Sequence, residues 1–338
     1  MTTLWYLILI FLLAGYVVLD GFDLGVGALY LWAGRTDEEH RTMLNAIGPV
    51  WDGNEVWLIT FGAALFLSFP RVYAAAFSGF YLALIIALWL LMGRGVSLEF
   101  RGRLANSLWS QAFNVVFSLS SAALAIVYGV ALGNVISGVP LNAQGYYQGL
   151  FAWMLNPYAL LMGLFSLVVL TLHGAFYLIW KTTGVVQDRA RQAAARLWWL
   201  VIALIVVTTP ATFAVRPGLT DNFRSFPPYV LVPLATIPLL AAMRIYLRRG
   251  QDFWAFLSSA GLISALGAAT SIGLYPYLLP SSPHPARGFT IHNAAASSGS
   301  LFPGLIWMSF GLVLIIAYTI IVYRIFKGKV VLEPSSHY

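Results

Sequence analysis

The sequence contains no cysteine among its 338 residues, and charged side chains make up only 9% of it. A chain without cysteine forms no disulfide, and it offers no thiolate ligand for an iron–sulfur cluster or a zinc site. So little charge is also atypical of soluble globular domains, in which about 25% of residues are charged. The composition therefore excludes thiol-based sites and argues against a soluble protein.

Hydrophobic residues are abundant instead: they make up 60% of the sequence, and its mean hydropathy is +0.80. A membrane-spanning helix needs about 20 apolar residues. Nine segments meet this requirement: 4–32, 49–68, 73–93, 110–134, 156–180, 196–215, 228–247, 253–275 and 303–326. They are apolar on all sides, whereas strands of a membrane barrel alternate apolar and polar residues. The sequence thus predicts an all-α integral membrane protein, with nine transmembrane helices in a single membrane domain over residues 1–338.

The basic residues indicate how these helices are oriented. Fifteen of the nineteen Lys and Arg residues, Arg94 among them, fall in the loops after odd-numbered helices or in the C-terminal tail. Basic loops face the cytoplasm, so the N-terminus is expected outside, on the periplasmic side, and the C-terminus in the cytoplasm. The net charge of +7 is explained by these loops and does not indicate a nucleic-acid partner.

Two short repeats suggest an internal duplication. The stretch GALYL at 27–31, which ends the first predicted helix, resembles GAFYL at 174–178, which ends the fifth. The tripeptide SFP at 68–70 recurs at 225–227. This pattern fits two four-helix units of the same orientation, followed by a ninth helix.

Four acidic residues lie within the first two predicted helices, in the stretches VLDGFDLGVG and GPVWDGNEVW. An ionisable side chain in a spanning segment is costly and indicates a function or an interface. A polar loop at 33–48 joins the two helices on the cytoplasmic side. From that boundary, a rise of 1.5 Å per residue gives depths of about 5 Å for Asp52, 9 Å for Glu55, 13 Å for Asp23 and 18 Å for Asp20.

Two interpretations of these carboxylates remain open. In the first, Asp52 caps its helix, and Asp20 and Asp23 pair with basic residues of another helix. In the second, which the four together favour, they form a route that passes protons inward, with Asn54 and Trp57 as hydrogen-bonding neighbours. No basic residue is predicted deep in any span. A deep partner is therefore expected to be a second subunit, water or a cofactor.

His173 lies within the fifth predicted helix and is a weak candidate for haem ligation. No other predicted span contains a histidine, so a hydrogen-bonded histidine is the favoured interpretation. Two functional classes fit the chain: a subunit of a proton-consuming respiratory enzyme, or a proton-coupled secondary transporter. Transporters more often carry matching broken helices in their two halves. The concentration of carboxylates in the first half of this chain favours the respiratory enzyme.

The motifs resemble those of a known family. VLDGFDLGVG and NAIGPVWDGNEVWL look like the signature of subunit II of bacterial cytochrome bd-type quinol oxidase. FPRVYAAAFSGFYLALII at 69–86 is similar to that family's third helix, and GFTIHNAAASSGSL at 288–301 to the motif before its last helix. The resemblance covers the whole chain in order.

The resemblance implies a haem-free subunit of the bacterial cytoplasmic membrane, paired with a homologous subunit I that holds haem b, usually haem d, and the quinol site. This chain would supply no catalytic residue, haem ligand or metal site. The complex would oxidise quinol and reduce oxygen to water in an electrogenic reaction. The family associates Asp52 and Asp23 with proton delivery and Trp57 with the oxygen route. It also allows small single-helix subunits and a bound membrane lipid or quinone.

Overall fold

A computed structural model describes residues 1–331, and this part of the chain is mostly helical. Its α-helices are α1 Thr2–Ala33, α2 Asp37–Ile47, α3 Trp51–Ser68, α4 Pro70–Gly79, α5 Tyr81–Phe100, α6 Ser107–Ser137, α7 Pro157–Lys181, α8 Gly184–Val215, α9 Asp221–Ser225, α10 Leu231–Leu234, α11 Thr236–Arg248, α12 Asp252–Leu274 and α13 Ser298–Ile325. Short 3-10 helices cover Phe151–Leu155, Pro217–Thr220, Pro227–Val230 and Pro285–Arg287. Strands β1 Tyr277–Leu279 and β2 Phe289–Thr290 form an antiparallel pair.

Within residues 1–331, eight helical segments are long and apolar enough to cross a membrane. They are α1, α5, α6, α7, α8, the segment Pro227–Arg248, α12 and α13. These segments form an all-α membrane protein. The second predicted segment, 49–68, corresponds to α3, which has 18 residues and is not among the eight.

The segment predicted as one helix over 73–93 is divided into α4 and α5, which meet at Phe80. Pro70 begins α4, where its fixed φ angle suits the first helical turn. The second helix, α5, continues to Phe100. Arg94 therefore lies on a helix and not in the loop to which the sequence assigned it.

The segment predicted as a polar loop over 33–48 contains the helix α2. The Thr36 side chain accepts a hydrogen bond from the backbone N–H of Glu39, and the Glu39 carboxylate accepts one from the backbone N–H of Thr36. This reciprocal pair is a capping box, which satisfies two donors that a helix N-terminus otherwise leaves unpaired.

The helices α1 and α7 cross at the centre of the molecule with their backbones in contact. A Cβ atom on Gly25 would lie 1.9 Å from the carbonyl oxygen of Leu170, and one on Gly174 would lie 2.3 Å from the carbonyl carbon of Gly25. Only residues without a side chain allow this approach. Gly21 and Gly27 likewise have atoms of neighbouring helices within 3 Å of where a Cβ atom would lie.

The packing partners of the first helices match those of the later ones. The helix α3 packs on α1 as α8 packs on α7, and α5 packs on α6 as α11 packs on α12. Each of α1 and α7 also contacts both α6 and α12. Finally, α13 packs against α3.

Within residues 1–331, the two largest of three clusters of buried apolar side chains follow one another along α1. The first includes Trp5 and Tyr16, together with Trp57 on α3. The second begins at Phe22 and extends to α7 and α12. Asp20 lies on α1 between these clusters, so an ionisable group is held at the level where the two apolar layers meet.

Candidate functional site

Arg94 is the central charge of the site. Its guanidinium donates to both carboxylate oxygens of Asp20, with Nη1 at 2.9 Å from Oδ2, and neither side chain is exposed. Nη1 also lies 3.4 Å from Oε1 of Glu55, whose side chain is 22% exposed. This one guanidinium therefore joins α5 to both α1 and α3, because Asp20 and Glu55 lie on those two helices.

The position of Arg94 changes the account drawn from the sequence. The expectation that no basic residue lies among the carboxylates is wrong, because α5 extends past residue 93 and carries Arg94 into the core. For Asp20, the alternative of a basic partner on another helix is confirmed. Hydropathy alone places Arg94 at the end of a span, so this contact could not be predicted from the sequence.

Asp23 has a different environment. It is completely buried, and its Oδ2 accepts a hydrogen bond of 2.7 Å from Nδ2 of Asn54. Oδ1 of Asp23 has no hydrogen-bond partner in the described part of the chain. Asn54 is held in turn by Tyr323 on α13, whose hydroxyl donates to Oδ1 of Asn54 at 3.1 Å. The amide is thus fixed from both ends, and it leaves one carboxylate oxygen of Asp23 open.

Asp52 lies in the first turn of α3 and is exposed. The N-cap position belongs to Val50, and no side chain caps this end of the helix. The interpretation of Asp52 as a helix cap is therefore wrong. Its carboxylate faces outward near the positive end of the helix dipole, which favours a negative charge.

Trp57 is buried, and its Nε1 has no hydrogen-bond partner within the described residues. The expectation that it acts as a hydrogen-bonding neighbour of the carboxylates is therefore wrong, whereas that for Asn54 is confirmed. The indole covers Gly15, where a Cβ atom would lie 2.3 Å from the ring. It also meets the ring of Phe11 edge to face at 5.7 Å. The surroundings of Trp57 are thus apolar.

Both ring nitrogens of His173 are occupied by hydrogen bonds. Nδ1 lies 2.7 Å from Oγ of Ser259, and Nε2 lies 3.0 Å from the carbonyl oxygen of Val18. The ring stacks on Phe256 with centroids 4.9 Å apart. The favoured interpretation of a hydrogen-bonded histidine is confirmed, and these contacts do not fit a haem ligand. Within residues 1–331, no group of three or more His, Asp or Glu side chains is placed to hold a metal ion.

A second set of charges anchors α2, which is not among the spanning segments. Arg189 on α8 donates to the Glu39 carboxylate at 2.7 Å. Burial alone would raise the pKa of Glu39, but hydrogen bonds from Arg189 and from the backbone N–H groups of Arg35 and Thr36 outweigh it and lower that pKa. For His40, burial and the nearby positive charge of Arg101 lower the pKa of the imidazole.

The charges at the centre do not balance. Asp20, Asp23 and Glu55 provide three carboxylates, and Arg94 provides one guanidinium, so the four ionised side chains carry a net charge of −2 (one positive and three negative). Uncompensated charge costs several kcal/mol when it is removed from water. A proton shared among the carboxylates reduces that cost. The arrangement can therefore take up a proton from the exposed side and hold it inside.

Comparison with known proteins gives concordant results. The family model described as cytochrome bd terminal oxidase subunit II matches residues 1–326. The chain is 34% identical over 368 residues to cytochrome bd-I ubiquinol oxidase subunit 2 of Escherichia coli K12, covering 99% of this chain and 97% of that protein. It is 33% identical over 301 residues to cytochrome bd ubiquinol oxidase subunit 2 of Bacillus subtilis, covering 88% and 87%.

The fold is also found among solved structures. A chain of the bd oxidase from Geobacillus thermodenitrificans superimposes with a TM-score of 0.78 over 96% of this chain and 98% of that one. The sequence identity is 20%, so this likeness concerns the fold alone. The family match confirms the resemblance read from the motifs and favours an oxidase subunit over a transporter.

Proposed function

The chain belongs to the family of subunit II of cytochrome bd terminal oxidases, and on this premise we propose that it is the haem-free subunit of a quinol:oxygen oxidoreductase in the bacterial cytoplasmic membrane. Its partner is a haem-bearing subunit I, which holds haem b and haem d, and quinol is the substrate of the complex. The haems supply the electron transfer and oxygen chemistry when they are bound in that partner. Both ring nitrogens of His173 make hydrogen bonds, and this supports the proposal that the haems are bound in the partner and not in this chain.

We place α3 across the membrane as well, which brings the number of spans to nine, because it packs against the candidate spans α1 and α13. Nine spans put the N-terminus outside and the C-terminus in the cytoplasm, in agreement with the distribution of basic residues. The matched packing partners support two four-helix units, with spans α1, α3, α5 and α6 in one and α7, α8, Pro227–Arg248 and α12 in the other. The helix α13 completes the domain.

This chain contributes a proton route from the cytoplasm to the reaction. Asp52, exposed at the cytoplasmic end of α3, collects the proton. Glu55 lies one turn further along the same helix and is only partly exposed, so it receives the proton next. Asp23 is the buried acceptor, and the oxygen left open by Asn54 is the atom on which the proton rests.

Asp20 contributes through Arg94. Because both oxygens of Asp20 accept from Arg94, this carboxylate fixes the guanidinium beside Glu55. The fixed positive charge stabilises Glu55 once its proton has moved on. Asp20 thus completes the carboxylate route as the group that holds this charge in place.

Trp57 marks an apolar passage or a subunit interface further along α3. It is buried against Gly15, while its edge contact Phe11 is exposed at the surface of the chain. Oxygen is apolar and crosses such a region more easily than water does. We therefore expect the oxygen route, or the contact with subunit I, at the rings of Trp57 and Phe11.

One observation carries the proton route: Asp23 is fully buried, yet one of its oxygens has no partner within residues 1–331. The test is oxygen consumption by the purified complex with Asp23→Asn or Glu55→Gln. Groups that transfer protons contribute large factors to rate, so turnover should fall about tenfold or more. Haem content should remain near wild type.

The matched control is Asp188→Asn, the same change at an exposed position of α8. It should leave turnover unchanged. Wild-type turnover in both Asp23→Asn and Glu55→Gln would refute the route.

A further inference from the structure

The chain contains three lysines, and all three line one cavity. The remaining sixteen basic residues are arginines, since Lys and Arg together number nineteen. Lys181 ends α7, and Lys327 and Lys329 follow α13. The cavity has a volume of about 340 Å³, which is within the range of sites for small ligands, about 300–1,000 Å³.

The segment after α13 forms one wall of this cavity by turning back onto α7. The backbone N–H of Val330 donates to the carbonyl oxygen of Lys181 at 2.7 Å. Nζ of Lys181 donates to the carbonyl oxygen of Phe326 at 2.6 Å. Nζ of Lys329 donates to the carbonyl oxygen of Thr182 at 2.8 Å. These bonds hold Lys181 and Lys329 at the cavity and bring the segment that carries Lys327 to it.

Lys181 is the most unusual of the three, because its residue is only 7% exposed and its ammonium lies 5.4 Å from the centre of the Trp180 ring. An ammonium has three N–H donors. One of them serves Phe326, and within residues 1–331 no second hydrogen-bond acceptor for Nζ is present. A nearly buried cation with two free donors requires a polar ligand or water.

The balance of charge around the cavity is positive. Of residues 1–331, no acidic one lines the cavity, and the nearest carboxylate contact is between Asp252 and Lys329, at 3.6 Å. Lys327 is exposed and makes no hydrogen bond or ion pair within the described residues. The lining also offers the side-chain amide of Asn45. Within the described part of the chain, two of the three positive charges are therefore without a carboxylate partner.

We propose that this cavity binds a phosphate-bearing anion, either the headgroup of an anionic phospholipid or free inorganic phosphate. A lysine ammonium is a compact point charge that suits phosphate oxygens from several directions. Basic pockets between helices at the cytoplasmic face of membrane proteins bind anionic headgroups. The apolar side chains of Trp180, Phe326 and Val331 at the same cavity suit the glycerol and first methylene groups of a lipid.

The test measures the unfolding midpoint of the purified, delipidated complex, because a ligand of the folded state raises it in proportion to occupancy. Three probes are titrated separately: phosphatidylglycerol in mixed micelles, phosphatidylcholine in the same micelles, and inorganic phosphate. A rise with phosphatidylglycerol alone identifies the lipid headgroup as the ligand. A rise with inorganic phosphate at similar concentrations identifies free phosphate.

The variants decide whether the binding occurs at this cavity. Lys181→Gln should weaken the apparent affinity about tenfold, the usual loss for a charged hydrogen bond. Lys327→Gln is the second variant, for the case that Lys181→Gln fails to fold, because Lys327 makes no hydrogen bond or ion pair within the described residues. Lys327→Gln should weaken binding about threefold. Arg103→Gln removes a charge from an exposed position outside the cavity and should change nothing.

Two results would contradict an anion site at this cavity. If neither anionic probe raises the midpoint above phosphatidylcholine, or if the lysine variants respond as wild type does, the cavity is not an anion site. Oxygen consumption does not enter the measurement, so the outcome is independent of the proton route.

Discussion

Arg94 on α5 donates hydrogen bonds to both carboxylate oxygens of Asp20 on α1, and neither side chain is exposed. The pair joins two helices that are 74 residues apart in sequence at this point. Loss of one partner leaves the other charge buried and unpaired, whereas loss of both does not. Each charge of the pair is therefore expected to be tolerated in the core only while the other is present.

Replacement of Arg94 alone should strongly destabilise the complex. We expect Arg94→Met to lower the free energy of unfolding by about 3–5 kcal/mol, as for other buried pairs broken from one side. The double variant Arg94→Met with Asp20→Leu should regain most of that loss. Denaturant unfolding of the purified complexes measures both. A double variant no more stable than Arg94→Met would contradict the pairing.

The contact between α1 and α7 predicts a steric effect at Gly25. A methyl group there would meet the backbone of α7 at 1.9 Å, so Gly25→Ala should destabilise the complex by about 1–3 kcal/mol. Gly62 on α3 provides the matched control, because a Cβ atom there has nothing within 4 Å. Thermal unfolding compares the two. Equal midpoints for Gly25→Ala and Gly62→Ala would show that the helices are further apart than described.

Tyr323 should act as a positioning residue for Asp23. Tyr323→Phe removes the hydrogen bond to Asn54, and the freed amide holds the carboxylate less well. The expected result is a fall in kcat of about threefold to tenfold with an unchanged quinol KM, corresponding to a hydrogen bond worth about 1 kcal/mol. Tyr318→Phe, also on α13, serves as the control, because its hydroxyl makes no hydrogen bond within the described residues. A change in KM alone would contradict this role.

Glu39 predicts a dependence of stability on acid pH. Hydrogen bonds lower its pKa in the folded protein, so the folded state binds fewer protons than the unfolded state over that range. Its contribution is present above the ordinary pKa of Glu, about 4.3, and is lost as the pH falls through the lowered value. Between pH 6 and pH 3, the free energy of unfolding of Glu39→Gln should therefore fall less than that of wild type. The difference should correspond to roughly one titrating carboxyl group. Thermal unfolding over this range measures it, and parallel curves would contradict it.

The long apolar helices and their carboxylates were predictable, because hydropathy and composition reveal them directly. The helix α2 was also predictable, because Thr36 followed three residues later by Glu39 is the pattern of a capping box, although the polar composition of residues 33–48 favours a loop. Arg94 was missed for a different reason. A hydropathy pattern shows where a span loses apolar residues, and it does not show that the helix continues and turns an arginine inward.

Contacts between distant segments had no local signal at all. The return of Val330 to Lys181, and the bond from Tyr323 to Asn54, each join residues more than 140 apart in sequence. Such contacts arise from the packing of α13 onto α3 and from the return of the segment after α13 to α7, which a single sequence does not reveal. The candidate carboxylates were thus predictable, whereas the groups that orient them were not.

Proton uptake during a single reaction with oxygen tests the central claim most directly. The complex is reconstituted in liposomes, a pH-sensitive dye reports protons taken from the cytoplasmic side, and haem oxidation is followed in the same samples. For Asp23→Asn, we predict haem oxidation at the wild-type initial rate and proton uptake slowed about tenfold or more. Proton uptake at the wild-type rate in this variant would contradict the account.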